Sequence, residues 1–293
     1  MDFFIYLPEG SYSGLQIELN TVDGLSCIKT ANTAITVARS QYTLITFNSS
    51  DLHFRPIGSV GGLFSINADG DQVWFSQGNL QYQASTGTWR FAENQYDYLG
   101  ADNANISASY SGWIDLFGWG TGNNPTLSST DNSDYSTFVD WGTNSISNGG
   151  EQTNSWRTLS RDEWDYILNG RSGAAMKYGT CSVNGIYGIV LLPDNWEQPA
   201  GVNFTSGYNY LQNNFSLAQW CTMEAAGAVF LPSAGDRYSN IYTEGDDGNY
   251  WTSTIFSEAE ASDVYFWVQS NAGGVGYYYL HFGFSVRLVS DNN

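Results

Sequence analysis

Two segments of this chain open with the reciprocal cap that starts an α-helix, and the rest reads as short strands joined by loops. Ser160-Arg161-Asp162-Glu163 and Ser216-Leu217-Ala218-Gln219 each set a serine three residues before a Glu or Gln. The serine hydroxyl and the longer side chain then satisfy amides that the first helical turn leaves free. The first box predicts a helix with Trp164, Ile167 and Leu168 on one face, stopping at Gly170. The second predicts a helix carrying Trp220, Met223 and Ala226, ending at Gly227. Elsewhere the period is two. Leu15, Ile17 and Leu19 alternate with Gln16, Glu18 and Asn20, the pattern of a half-buried strand. Asp23-Gly24 supplies a hairpin turn, and Ile35/Val37 and Leu44 with its neighbours continue the alternation. Residues 1–55 therefore read as a small β-sandwich-like segment. The glycine-rich step Gly58-Ser59-Val60-Gly61-Gly62 marks a boundary, and residues 62–290 read as a second domain. Two helices among short antiparallel strands give the class α+β.

Charge narrows the function. Ten Lys and Arg face 29 Asp and Glu, a formal charge of −19. Such a chain is repelled by phosphate backbones and anionic lipid, so nucleic-acid and membrane-surface binding are excluded. No apolar run approaches the length that spans a bilayer. Histidine occurs only at His53 and His281, too few for His-based catalysis or a multi-His metal site. Cys27, Cys181 and Cys221 show no metal-binding spacing; buried free thiols are the favoured reading, with a Cys181–Cys221 bridge as the alternative. Met1-Asp2-Phe3-Phe4-Ile5-Tyr6 has no basic leader or cleavage pattern and starts like a strand, so a mature or truncated form of a longer exported protein is expected.

Several motifs bring a family into view. Trp156-Arg157-Thr158-Leu159-Ser160-Arg161-Asp162-Glu163-Trp164 resembles the segment opening the first helix of sulfatase-modifying, formylglycine-generating-type domains. Gly248-Asn249-Tyr250-Trp251-Thr252-Ser253-Thr254 and Gly283-Phe284-Ser285-Val286-Arg287-Leu288-Val289 resemble the last third of that C-type lectin-like group. The run from Phe75-Ser76-Gln77-Gly78-Asn79-Leu80-Gln81-Tyr82 to Trp113-Ile114-Asp115-Leu116-Phe117-Gly118-Trp119-Gly120 is similar to its surface-protein branch, some of whose members are variable proteins of diversity-generating retroelements. The resemblance spans residues 62–289 and implies a C-type lectin-like fold for the second domain. Leu7-Pro8-Glu9-Gly10-Ser11-Tyr12 and the strands after it resemble the closing strands of fimbrillin-like domains. Together these imply an exported surface adhesin or pilus-tip protein, with other pilus or surface subunits as partners. The family's enzymes are expected to hold copper with two late cysteines; no cysteine follows Cys221, so that chemistry does not carry over. Glu197-Gln198-Pro199-Ala200 lacks the oxygen donor after proline that a lectin-type calcium site needs. No cofactor is expected, beyond a calcium weakly held by the acidic loops Glu244-Asp246-Asp247 or Asp131/Asp134.

The residues that suggest function lie near the carboxyl end. Twelve of the 45 residues from Tyr238 to Phe282 are aromatic, against 16% overall. In Val264-Tyr265-Phe266-Trp267-Val268-Gln269 the valines and Phe266 share one face, so Tyr265, Trp267 and Gln269 share the other. Projecting the alternation back from Phe284, Val286 and Leu288 turns Tyr277, Tyr279 and His281 outward. Tyr238, Asn240, Ile241, Tyr242, Ile255 and Phe256 join them from neighbouring loops. Outward Tyr and Trp give a large contact area with few rotatable bonds, as binding surfaces require. In the resembling branch the variable positions occupy this final sheet, and adenine-directed change of Asn codons yields the residue mixture seen here. The expected function is non-catalytic capture of a protein or glycan. Three alternatives stay open: an aromatic sheet that is plain core, a structural pilus subunit exchanging strands through residues 1–55, and a glycan-cleaving enzyme using two of Asp140, Glu151, Asp236 and Glu244. Trp113, Trp119, Trp141, Trp156 and Trp164 read as core and loop-pinning residues, and Arg287 as the partner of a carboxylate.

Overall fold

A computed structural model describes residues 6–30, 34–39, 52–207, 210–243, 247–269 and 272–292. The chain divides into two compact units, Met1–Ile57 and Gly58–Asn293. The readings of Met1–Ile5 and of Leu44 with its neighbours lie outside the described residues.

In the first unit Gln16–Asn20 and Leu25–Thr30 form a hairpin, with Arg55–Pro56 added on the far side of the second strand. Ile17 and Leu19 are half-buried while Gln16, Glu18 and Asn20 are exposed, because alternate side chains leave a strand on opposite faces. The turn closes at Gly24, whose φ of +84° suits glycine, which has no Cβ to clash there. Gly10–Tyr12 pairs with Ile35–Val37 as a separate two-stranded sheet.

The second unit is built mainly from strands. Its first and last segments share a four-stranded sheet ordered Arg157–Thr158, Leu288–Asp291, Gln72–Ser76, Ser59–Ser65. A second four-stranded sheet runs Asn214–Phe215, Tyr178–Val183, Ile186–Leu191, Val229–Pro232. Three three-stranded sheets complete it, and the last two build the candidate site: Ile241–Thr243, Asp236–Tyr238, Phe282–Gly283; and Asp247–Ile255, Glu260–Trp267, Ala272–Tyr279.

Both predicted caps form. Ser160 Oγ accepts from the Glu163 amide while Glu163 accepts from the Ser160 amide at 2.7 Å, and Ser216 and Gln219 repeat the arrangement. The helices they start are short: Arg161–Asp165, which widens into one π turn to Gly170, and Leu217–Ala225. This corrects the expected architecture. With about 40% of its residues in strands spread over many small sheets and 14% in helices, the protein is not a two-helix α+β, C-type lectin-like fold. The physical reason is that pairs as short as Trp113–Ile114 and Arg157–Thr158 close sheets across what the sequence presents as loops.

The loops between 93 and 155 are pinned by tryptophans. Trp119 Nε1 donates to Thr252 O at 2.9 Å, and Trp156 Nε1 to Gly149 O at 2.9 Å. Trp119, Trp141, Trp156 and Trp164 are buried; Trp113 is half-buried beneath the Arg90 guanidinium, 3.8 Å from its ring. Among the described residues Arg287 pairs with no carboxylate. It donates to Gln95 Oε1 at 2.6 Å and Asn79 Oδ1 at 3.4 Å, and burial lowers its pKa to about 10. The cysteines are unbridged; Cys27 and Cys181 are buried, whereas Cys221 is exposed on its helix.

Candidate ligand-binding face

The middle strand Glu260–Trp267 organises the site. Its register sets Trp267 opposite Asp247 and Ala272, Tyr265 opposite Asn249 and Gly274, Asp263 opposite Trp251 and Gly276, and Ala261 opposite Tyr278. Side-chain alternation puts Trp267, Tyr265, Asp263, Asp247 and Tyr278 on one face. Val264 and Phe266 point the other way into the core, with Val268 continuing that side, and Phe266 stacks on Tyr250 at 6.1 Å. Because the core claims those residues, the intervening rings have nowhere to go but outward. Trp267 is 46% exposed, Tyr265 is half-buried beside it at 5.4 Å, and Gln269 is exposed just beyond. Of eleven tryptophans Trp267 alone is exposed.

Tyr278 extends the face into the neighbouring sheet. Its ring meets Phe282 at 4.6 Å, Phe282 meets Tyr238 at 5.2 Å, and Tyr238 meets His281 at 5.3 Å. Asn240 and Ile241 are exposed at the tip of the Asp236–Thr243 hairpin. Tyr242 is half-buried and turned toward Gly100.

Tyr277 and Tyr279 do not share the face of Tyr265 and Trp267. They stand opposite Ser262 and Glu260, on the reverse side, where Phe256 lies flat on Tyr277 at 3.9 Å and 1°. Phe256, Tyr277 and Tyr279 are all exposed there, and Ile255, which pairs with Ala261, is exposed as well. His281 is a correction: it is buried, not outward. Its Nδ1–H donates to Asn132 Oδ1 at 2.7 Å, it stacks on Tyr279 at 5.8 Å, and burial lowers its pKa. The cause is the turn at Leu280–His281, where the chain leaves one sheet for the other and the period-two projection breaks.

Sequence reasoning missed Tyr278 and Asp263. Tyr278, 42% exposed, is the middle of three consecutive tyrosines, and simple alternation assigns it inward. Asp263 is only 2% exposed, and its burial pushes its pKa up to about 7 against the pull of its own amide. No other residue donates to its carboxylate among the described residues. Its place was readable in principle, because it shares the parity of Tyr265 and Trp267.

Asp236 is pushed up to about 6 by burial and then by the charge of Asp247. The phenol of Tyr278 is raised by burial and then by the charges of Asp236, Asp263 and Asp247. Arg237, between Asp236 and Tyr238, points to the opposite side and donates to Leu116 O and Ser239 O. Among the described residues no group of three His, Cys, Asp or Glu is arranged to hold a metal ion.

The other acids considered for catalysis are engaged or remote. Asp140 accepts from Gly142 N, Thr158 N and Thr158 Oγ1, Glu151 is exposed in a separate loop, and Glu244 lies outside the described residues. Asp131 caps a short turn through Ser133. Among the described residues no helix is long and apolar enough to cross a membrane. No protein family, no curated protein and no solved structure matches this chain.

Proposed function

We propose that this protein is a non-catalytic, exported binding protein of adhesin type, which captures a protein or glycan through the rings of its carboxyl-terminal sheets. The observation that carries this reading is the concentration of exposed rings on an ordered frame. Eight of the fifteen exposed large apolar side chains among the described residues fall between Tyr238 and Tyr279, divided between the side of Trp267 and Tyr278 and the reverse side of Phe256, Tyr277 and Tyr279. Scattered exposed apolar residues are ordinary, whereas a contiguous set marks an interaction surface. Rigid rings on paired strands lose little conformational entropy when a partner docks, which favours them as anchors. The mixture of Tyr, Asn, Ile and Phe at these positions also suits a surface whose residues vary between copies of the gene.

The test is a screen of the full chain against immobilised glycans and proteins, run beside a Tyr265→Ala/Trp267→Ala variant. The reading predicts a ligand whose retention falls at least ten-fold in the variant while its melting temperature is unchanged. Ligands retained equally by both forms would refute it.

A further inference from the structure

Behind the exposed rings lies negative charge with no cation of its own. Asp263 is buried under the face, and a Cβ built on Gly276 would sit 3.2 Å from its Oδ1 and 3.1 Å from the Tyr265 ring. The carboxylate and the ring thus lie side by side over a strand position that glycine leaves bare. Asp247 stands across from Trp267, held by Asn249 Nδ2 at 3.1 Å, and Asp236 lies near enough for its proton to feel Asp247. Among the described residues no Lys or Arg answers them: Arg237 turns away, and Lys177, Arg90, Arg157, Arg161, Arg171 and Arg287 are engaged with groups on other parts of the unit or lie on elements outside this sheet. A charge left this way in a poorly solvated position is costly unless something compensates it. Ring faces carry negative potential that attracts a cation, more strongly when water is excluded.

We propose that the face formed by Tyr265, Trp267 and Tyr278 binds a lysine or arginine side chain of a partner protein, the ring faces receiving the cation and Asp263 and Asp247 supplying the opposing charge. This rests on the binding reading above and names the chemistry of its partner. Trp267 and Tyr265, at 5.4 Å and 50° to one another, offer a cation two ring faces. Tyr278 lies one strand repeat beyond Gly276. The overall charge of −19 draws basic partners in from a distance but does not choose a docking point; buried Asp263 beside the Tyr265 ring and half-buried Asp247 across from Trp267 do.

The test follows the indole N–H resonance of Trp267, assigned by its loss in Trp267→Phe, during titration with N-acetyl-Gly-Lys-Gly-amide and N-acetyl-Gly-Arg-Gly-amide. The norleucine analogue of the same length and cellohexaose serve as uncharged probes. The proposal expects saturable shifts with the Lys and Arg peptides and at least ten-fold weaker binding of the norleucine peptide. Asp263→Asn/Asp247→Asn should weaken the cationic peptides at least ten-fold. Asp69→Asn/Glu197→Gln, which removes two exposed charges elsewhere, should leave them within two-fold. Asp247→Asn alone serves if the double variant melts early. Equal shifts with norleucine or cellohexaose that survive loss of both carboxylates would overturn cation recognition while leaving a binding face in place. Silence of Trp267 toward the cationic peptides would also overturn it. Only retention of screened ligands by Tyr265→Ala/Trp267→Ala would bring down the underlying reading.

Discussion

Replacing Asp263 by Asn should make the protein more stable, and only at the alkaline end of its range. Asp263 is 2% exposed, and burial lifts its pKa from 3.8 to about 7. Below pH 3.8 both folded and unfolded chains hold the proton, and the group is neutral to stability. Between the two values the folded chain keeps a proton that the unfolded chain has released, so stability falls as pH rises, by about 1.4 kcal/mol per pH unit. The fall ends once pH passes the folded value, for a total on the order of 4 kcal/mol, an upper bound given that buried sites relax. Asparagine keeps the shape without the proton. Urea unfolding followed by tryptophan fluorescence reads this cleanly, since all eleven tryptophans lie between residues 74 and 267, within the Gly58–Asn293 unit. Asp115 and Asp236, each pushed up to about 6 chiefly by burial, add slopes of the same sign that cancel in the comparison. Wild type and Asp263→Asn should agree near pH 4 and diverge to a gain of about 2–4 kcal/mol for the variant at pH 8. Parallel curves, or a variant less stable at pH 8, would show that the carboxylate is ionised and compensated in the fold.

Two further predictions concern groups away from the face. Gln95 is fully buried and makes four hydrogen bonds: to Glu224 and Ala228 O, and from Phe230 N and Arg287 Nη2. Gln95→Leu should cost about 3–5 kcal/mol in urea melts because it strands the Arg287 charge; a loss under about 1 kcal/mol would contradict this. Cys221 is exposed whereas Cys27 and Cys181 are buried, and burial raises the Cys181 thiol. Iodoacetamide should therefore label Cys221 alone in the native protein, read by peptide mass spectrometry, and all three cysteines in urea.

What could be read from the sequence was what is local. The capping boxes at Ser160 and Ser216 form as written because each is decided within four residues. The split of Val264, Phe266 and Val268 from Tyr265 and Trp267 lies within one strand and its immediate exit, where period two holds. Period two does not carry across a change of chain direction. Tyr277 and Tyr279 belong to the reverse face and His281 to the interior, because the chain turns at Leu280–His281 between sheets. Arg287 was expected against a carboxylate; it meets the amides of Gln95 and Asn79, brought to it from 192 and 208 residues away, and no local signal announces such partners. The balance of strand to helix is hidden for the same reason. A two-residue pair such as Arg157–Thr158 against Leu288–Val289 has no period to read.

The central claim is that the outward rings are free for a partner and do not hold the fold together, and neighbouring positions on one strand test it most directly. Trp267→Ala should lower the unfolding free energy by less than about 1 kcal/mol. Phe266→Ala, one residue away and fully buried, should lose about 3–5 kcal/mol. Equal losses from the two substitutions would place Trp267 in the core and contradict the account.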